Sequence, residues 1–355
     1  MTQKELTLLN LGDSLDNISN IDPRGYGVCR ILYPAARSFT GKPLSVNAAQ
    51  KLCEAVGDGD LVYIMTGFVL PPHASAETDG VISSVLLARS LVIAFGAKPV
   101  IVCQQENVSA VKAMAAVVGL HLYESVDELK KYPIAMAVVP FTKDKSEAES
   151  CADELLSHGI PSAVISIEAP GENSIGRYHN AKGFDVTDLE AKMDVLFEKL
   201  QKIGVMNIAI GDLGNEIGMG AIAEQLDKFI PYAASGECSC GCGGGIAVRT
   251  KTDNIITATV SDWGCYAMIA ALAYLKNNLE IMHTAELEGE VMTSAARNGM
   301  IDMYGWCIPA IDGFGKSMNM TVVNLMRECV SYALGLEETC KSWFDKVIDK
   351  GYFSE

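Results

Sequence analysis

Short apolar runs alternate with longer amphipathic segments over most of this 355-residue chain. Six runs rich in Val, Ile and Ala have the length of buried strands, at 61–65, 99–103, 134–139, 162–167, 205–210 and 255–260. Segments with apolar residues at helical spacing follow them, at 80–95, 108–118, 147–158, 188–203, 217–229 and 261–275. Strands that alternate with helices of this length predict a parallel sheet covered on both faces.

The two ends of the chain differ from this alternating body. Residues 1 to about 60 read as irregular, apart from helical spacing over 45–56, because acids and turn residues crowd 13–27. Helical spacing at 284–297 precedes a loop-rich stretch, and a helical extension is expected over about 316–355. No linker or internal repeat interrupts the sequence. We therefore predict one α/β domain over 1–355, a Rossmann-like layered fold with a mostly parallel sheet flanked by helices.

The charge balance excludes some classes of partner. The chain has 44 acidic and 28 basic residues, a formal net charge of -16, and no basic stripe to face phosphates. Nucleic acid is therefore not an expected partner. An anionic substrate would need a local Arg or Lys, or a metal bound by the surplus carboxylates.

The same sequence shows no sign of a membrane or secretory destination. No apolar run is long and charge-free enough to cross a bilayer, and the first residues do not resemble a leader peptide. The 11 cysteines are odd in number and scattered, which favours reduced thiols over a disulfide framework. We expect a cytoplasmic protein without membrane contact; a homo-oligomer stays open.

The stretch 205–220 organises the rest of the chain. An apolar strand is followed at once by a turn with four glycines, which contains Asp212 and Glu216. If both acids were helical they would share one face, where a cation would offset their repulsion. The alternative is that Asp212 caps the following helix and Glu216 lies near its positive end.

Acids also follow or precede other predicted strands and helices: Glu77, Asp79, Asp185 and Asp262. In a parallel sheet the loops after the strands open on the same edge, where α/β proteins bind their ligands. Hard oxygen ligands from several loops suit Mg²⁺ or Mn²⁺. Asp79 and Asp262 also fit a simple role as helix caps, and Asp185 a place on the surface. The turn acids Asp302 and Asp312 are expected to be structural.

The polar loop 168–180 offers further chemistry. It contains Glu168, Arg177, Tyr178, His179 and Asn180. Arg177 could pair with a carboxylate or phosphate through two hydrogen bonds. His179 could act as an acid or base, although a single loop histidine is more often merely exposed.

Three cysteines at alternate positions, Cys238, Cys240 and Cys242, resemble a metal motif. Structural zinc usually takes ligand pairs from two places in the chain, and no fourth ligand is evident nearby. The pattern therefore favours a flexible thiol-bearing loop over a zinc or cluster site.

Five blocks, at 66–68, 77–80, 176–180, 211–220 and 261–264, resemble the signature blocks of the D-glutamate cyclase-like C-terminal domain family. They fall in the family's order, and Asn-Glu-Ile-Gly-Met-Gly at 215–220 is the most specific. The family usually has Asn where this chain has Asp262, and Gly where it has Leu213.

The resemblance implies a lyase that converts D-glutamate to 5-oxo-D-proline and water. On this interpretation Asp79, Asp212 and Glu216 hold a divalent metal, Mg or Mn, and Glu77 takes the ammonium proton. Arg177 would hold the α-carboxylate. The other residues expected to bind substrate are Thr66, Asn180, Asn215, Ser261 and Asp262.

Two other functions stay open. The family is also associated with metal-dependent phosphatase activity, and the same acids would suit an Mg- or Mn-dependent phosphohydrolase of a small phosphate ester. A non-catalytic protein that binds a metabolite or metal is the third possibility, because a fold alone never establishes chemistry. All three share a small anionic metabolite or a metal as the expected partner.

Overall fold

A seven-stranded parallel sheet forms the centre of the protein, seen in a computed structural model that describes residues 2–335 and 341–351. The sheet order is fifth, sixth, fourth, first, seventh, eighth and ninth strand, and two short hairpins lie outside it. The strands are β1 Leu61–Thr66, β2 Val69–Leu70, β3 Ser75–Ala76, β4 Lys98–Cys103, β5 His121–Tyr123, β6 Ala135–Pro140, β7 Ala163–Ile167, β8 Met206–Gly211, β9 Asn254–Thr257, β10 Ala310–Ile311 and β11 Phe314–Gly315.

Helices cover both faces of the sheet and confirm the predicted α/β layered fold. They are α1 Gln3–Ser19, α2 Cys29–Thr40, α3 Leu44–Ala55, α4 Val81–Phe95, α5 Val108–Val117, α6 Val126–Leu129, α7 Ala148–Ser157, α8 Met193–Lys202, α9 Ala223–Phe229, α10 Ser261–Leu275, α11 Ala285–Arg297, α12 Lys316–Gly335 and α13 Lys341–Asp349. Short 3₁₀ turns lie at Gln105–Asn107, Gly220–Ile222 and Leu279–Ile281.

The two cores lie on opposite faces of the sheet. In β1, Val62 and Ile64 point into the larger core, and Tyr63 and Met65 into the smaller one, as the two-residue period of a strand requires. Helix α10 lies within the larger core and is buried on every side over 261–274, which explains why its sequence is apolar all round.

The strand order creates a crevice between β1 and β7. From β1 the chain builds β4, β5 and β6 on one side, and then crosses over to add β7, β8 and β9 on the other. The chain leaves β1 and β7 towards opposite faces of the sheet, which makes this a switch point, the place where open α/β sheets bind ligands. A hydrogen bond from Gly67 N to Glu168 O at 3.1 Å joins the residues that directly follow β1 and β7.

The prediction of an irregular N-terminal segment over about 1–60 is wrong for α1 and α2, whereas α3 confirms the helical spacing at 45–56. The acids that suggested a loop have specific partners. Asp16 is buried in α1 and accepts hydrogen bonds from Leu44 N at 2.7 Å and Ser45 N at 3.0 Å, at the start of α3. A charge that caps a distant helix looks like a turn residue when the sequence is read locally.

Two further predictions concern helices in the C-terminal half of the chain. The helix expected from residue 217 begins with a 3₁₀ turn at Gly220 and becomes α9 only at Ala223. The helical extension expected over about 316–355 contains α12 and α13; its residues 336–340 and 352–355 lie outside the described residues. Among the helices that the structure describes, none combines the length and apolar character needed to traverse a bilayer.

Candidate functional site

The turn after β8 is held by its own glutamate. Glu216 Oε1 accepts hydrogen bonds from Asp212 N at 2.9 Å and Leu213 N at 2.7 Å, and Oε2 accepts from Gly214 N at 2.6 Å. Asp212 and Glu216 therefore lie in a turn and not in a helix, so the shared helical face that the sequence offered as one possibility does not form. Gly218 has a φ of +93° and an added Cβ would lie 2.2 Å from Ala209 Cβ, so this turn requires glycine there.

A second group of acids lies where α4 and α10 begin. Asp79 accepts hydrogen bonds from Asp262 N at 2.9 Å and from Ser261 N at 3.2 Å. Asp262 accepts from Gly80 N at 2.8 Å. The Ser261 hydroxyl donates to Glu168 Oε2 at 2.6 Å, which links these helix ends to the residue that follows β7.

The carboxylates meet in two overlapping groups. Ligand oxygens of Asp79, Asp212 and Asp312 lie within 4.8 Å of one another, and so do those of Glu168, Asp212 and Glu216. The sequence grouped Asp79, Asp212 and Glu216 as one set; the structure divides them between two sets that share Asp212. Glu168 was noted only as part of a polar loop and Asp312 only as a turn acid. A signal for Glu168 existed, because it directly follows a buried strand.

Burial of these acids changes their acidity. Removal from water raises the pKa of Asp79, Glu168 and Asp212 well above the usual carboxyl value, and the neighbouring negative charges raise it further. Glu77, also buried, has its pKa raised for the same two reasons. Burial raises the pKa of Asp262 to about 7. A positive charge among these groups would offset the cost of keeping them ionised.

The donor set fits a hard divalent cation. Two sets of carboxylate oxygens within 4.8 Å match the oxygen-rich coordination of Mg²⁺ or Mn²⁺. Two further buried oxygens, Thr66 Oγ1 and Asn215 Oδ1, have no hydrogen-bond partner among the described residues. Buried polar atoms are normally paired, so these two are free to accept a hydrogen bond from a ligand or water, or to coordinate an ion.

A cavity of about 280 Å³ opens beside the acids. Among the described residues that line it, five are acidic and two are basic: Asp22, Glu77, Glu168, Asp212 and Asp312, with Arg24 and Lys182. Phe68, Leu70 and Met303 contribute apolar surface. The volume suits a small metabolite, and the charge balance means that an anion needs a cation to bind here.

Arg24 is the basic residue that sequence reasoning missed. Its Nη1 lies 2.9 Å from Asp312 Oδ2, and its Nη2 donates to Thr259 O at 2.9 Å. The guanidinium also lies 4.8 Å from the ring centres of Tyr26 and Phe314. Its position in an Asp-Pro-Arg-Gly turn gave no periodic signal, because only the tertiary structure brings this turn to the cavity.

The remaining predicted site residues lie at different distances from the cavity. Asn180 and Asn215 line it. Thr66, Ser261 and Asp262 are buried behind its acidic wall. Arg177 is half-exposed and pairs with Asp185 at 3.3 Å, outside the lining.

A small cavity beside clustered carboxylates, at the switch point of a parallel sheet, is the candidate site of this layered α/β protein. The chain belongs to the family described as D-glutamate cyclase-like, C-terminal, whose profile matches residues 15–327. It is 26% identical over 333 residues to the mitochondrial D-glutamate cyclase of Homo sapiens. The match covers 91% of this chain and 48% of that protein, so the chain spans about half the length of this relative.

Proposed function

We propose that this protein is a D-glutamate cyclase-like lyase that converts D-glutamate to 5-oxo-D-proline and water, with a divalent cation in its acidic site. The observation that carries the proposal is the two clusters of three acidic residues that have Asp212 in common, beside a cavity of metabolite size. Membership of the family and the similarity to a human D-glutamate cyclase support this choice of reaction.

Arg24 is suited to hold the α-carboxylate of the substrate. Its outer nitrogens are held by Asp312 and Thr259, while its Nε is buried and has no partner among the described residues. A buried donor without an acceptor is costly, so a substrate carboxylate that supplies one would bind favourably. In this role Arg24 takes the place that the sequence gave to Arg177.

Glu77 is suited to move the protons of the reaction. Cyclisation forms a bond from the substrate amine to its side-chain carboxyl carbon and breaks one carbon–oxygen bond, so water leaves. The nitrogen loses two protons, one from the ammonium before it attacks and one from the adduct, and the departing oxygen of the side-chain carboxylate gains two and leaves as water. Glu77 lines the cavity and its pKa is raised by burial, which suits a carboxylate that accepts the first proton and returns one later.

The cation has defined candidate ligands in this chain. Asp79, Asp212 and Asp312 form one set, and Glu168, Asp212 and Glu216 the other. A bound divalent ion would supply electrophilic polarisation of the carboxyl group and would lower the repulsion between an anionic substrate and the acids.

The test uses purified full-length chain with D-glutamate, in Mn²⁺, Mg²⁺ or excess chelator. Loss of primary amine and formation of 5-oxo-D-proline are followed by chromatography, with L-glutamate in parallel. We expect product from D-glutamate only with metal, and its loss in Asp212→Asn but not in the matched Asp185→Asn variant. Folded protein that binds Mn²⁺ and yet yields no product under any condition would refute the proposal.

One observation favours a second candidate, a metal-dependent phosphohydrolase of a small phosphate ester. Two clusters of three acidic residues with Asp212 in common resemble sites in which two cations hold a phosphoryl group between them. Release of phosphate from a panel of esters, abolished by chelator and by Asp212→Asn, would select this function if D-glutamate gives no product.

A further inference from the structure

The three cysteines at alternate positions acquire a fourth neighbour in the folded chain. His179 Nε2 lies 3.3 Å from Cys240 Sγ and 3.4 Å from Cys242 Sγ. Cys238 Sγ lies 3.3 Å from Cys242 Sγ and 3.5 Å from Cys240 Sγ. All four ligand atoms lie within 4.8 Å of one another, although His179 is about 60 residues away in sequence.

These distances match a tetrahedral metal centre. With Zn–S bonds near 2.3 Å and Zn–N bonds near 2.0 Å, neighbouring ligand atoms of a tetrahedron lie about 3.5 to 3.8 Å apart. The observed separations of 3.3 to 3.5 Å are close to these edges and far above the sulfur–sulfur bond of a disulfide, about 2.0 Å. Three thiols and one imidazole are also a recurrent ligand set of structural zinc.

The surroundings hold the four ligands in place. The His179 side chain is 1% exposed, and its ring presents Nε2 to the sulfurs. Gly244 N donates a hydrogen bond to Cys242 Sγ at 3.4 Å, which helps to orient this sulfur. Cys238 is buried and Cys242 half-buried, while Cys240 closes the group from the solvent side.

We propose that His179, Cys238, Cys240 and Cys242 form a structural zinc site, separate from the carboxylate site. Four protein ligands leave no open position, which is the arrangement of structural and not catalytic zinc. The fourth ligand that the sequence lacked comes from the polar loop after β7.

The site joins the loop after β7 to the loop that carries the three cysteines. Cys240 N donates to Gly183 O at 3.1 Å, and Ser239 Oγ donates to Lys182 O at 2.6 Å. Asn180 and Lys182, which follow His179 directly, line the cavity. Asn215 Nδ2, on the turn after β8, donates to His179 O at 3.0 Å. Zinc at this place would therefore fix the part of the cavity wall that Asn180, Lys182 and Asn215 form.

The first test is metal analysis of the full chain, purified without chelator and dialysed. We expect about one zinc per chain in the wild type. Zinc content should fall at least tenfold in Cys238→Ser and Cys240→Ser. It should stay unchanged in Cys307→Ser, which alters another exposed cysteine, and in Asp212→Asn, which alters the carboxylate site.

A second measurement does not depend on the serine variants being folded. Wild-type protein stripped of metal and titrated with Co²⁺ should develop the intense visible bands of tetrahedral cobalt with thiolate ligands. Cys240→His, at an exposed position, keeps four potential ligands, so it should retain zinc. Its cobalt form should show weaker thiolate-to-cobalt charge-transfer bands than the wild type, because it has one thiolate fewer.

Several results would overturn the zinc site. One is wild-type protein that carries no zinc and gives no tetrahedral cobalt spectrum. Others are zinc content that Cys238→Ser and Cys240→Ser leave unchanged, iron with labile sulfide in place of zinc, or a disulfide within 238–242 in protein purified under reducing conditions. Because none of these readouts uses catalysis, they stand apart from the test of D-glutamate turnover.

Discussion

Asp79, just before α4, caps the start of α10, and Asp262, in the first turn of α10, caps the start of α4. Asp79 Oδ1 accepts from Asp262 N in the first turn of α10 at 2.9 Å, and Asp262 Oδ1 accepts from Gly80 N and Ser83 N at the start of α4 at 2.8 and 3.2 Å. The residues immediately before these helices, Gly80 and Val260, provide no side-chain cap. The exchange fixes two helix ends, 182 positions apart in sequence, beside the carboxylate site.

The exchanged caps predict different outcomes for two substitutions of Asp262. Asp262→Asn keeps an oxygen for the N–H groups of Gly80 and Ser83, whereas Asp262→Ala removes it. We expect Asp262→Ala to be less stable than Asp262→Asn by about 1 to 2 kcal/mol, from urea unfolding at pH 7. Equal stability of the two variants would show that these caps contribute little.

Asp212 should control the affinity for metal. It is the residue shared by both carboxylate groups, so Asp212→Asn weakens each of them. We expect the affinity for Mn²⁺ to fall by more than about tenfold, because even partners of metal ligands typically contribute that much. Electron paramagnetic resonance of free Mn²⁺ in a titration measures it. Asp185→Asn, in a carboxylate paired with Arg177 outside the cavity, should bind Mn²⁺ as the wild type does.

Glu216 should matter for stability even without metal. Both of its oxygens accept backbone N–H groups of the turn at 212–214, and a Gln side chain would turn an NH₂ group towards one of them. We expect Glu216→Gln to lower the free energy of unfolding by about 1 to 3 kcal/mol in excess chelator. Asp212→Asn, measured in the same way, should not show this loss. A Glu216→Gln protein of wild-type stability would assign Glu216 to ligand binding alone.

The buried Glu190 should make the free energy of unfolding depend on pH. This buried residue accepts hydrogen bonds from Val69 N at 3.1 Å and from the Gln104 amide, and burial raises its pKa to about 8. In the unfolded chain a glutamate titrates near pH 4.3, so between the two values the folded state binds more protons. Its stabilising contribution is therefore full below about pH 4 and is lost as the pH rises through about 8.

The measurement compares unfolding free energies from pH 5 to pH 8.5. The wild type should lose stability over this range, and Glu190→Gln, which cannot ionise, should lose less, by up to about 1.4 kcal/mol for each pH unit. The exposed Glu224→Gln is the matched control and should follow the wild type. Parallel curves for wild type and Glu190→Gln would contradict a raised pKa at this position.

Local sequence patterns predicted most elements of the alternating body, but not the short β5 and α6. The apolar runs at 61–65 and 99–103 became β1 and β4 to within one residue, and the stretch 261–275 became α10, because buried strands and helices must be apolar along their length. Helices α1 and α2 were not predicted, since some of their polar residues have partners far away in sequence. Asp16, for example, suggests a turn until Ser45 is placed against it.

For the candidate site, the sequence by itself determined which loops carry acids, and the parallel sheet then required those loops to share one edge. Only the tertiary structure decided which side chains meet: Glu168 and Asp312 among the acids, Arg24 at the cavity, and His179 among the cysteines. The physical reason is that a carboxylate, a guanidinium or an imidazole takes its role from neighbours within a few ångströms, and here those neighbours lie up to 288 residues apart in sequence.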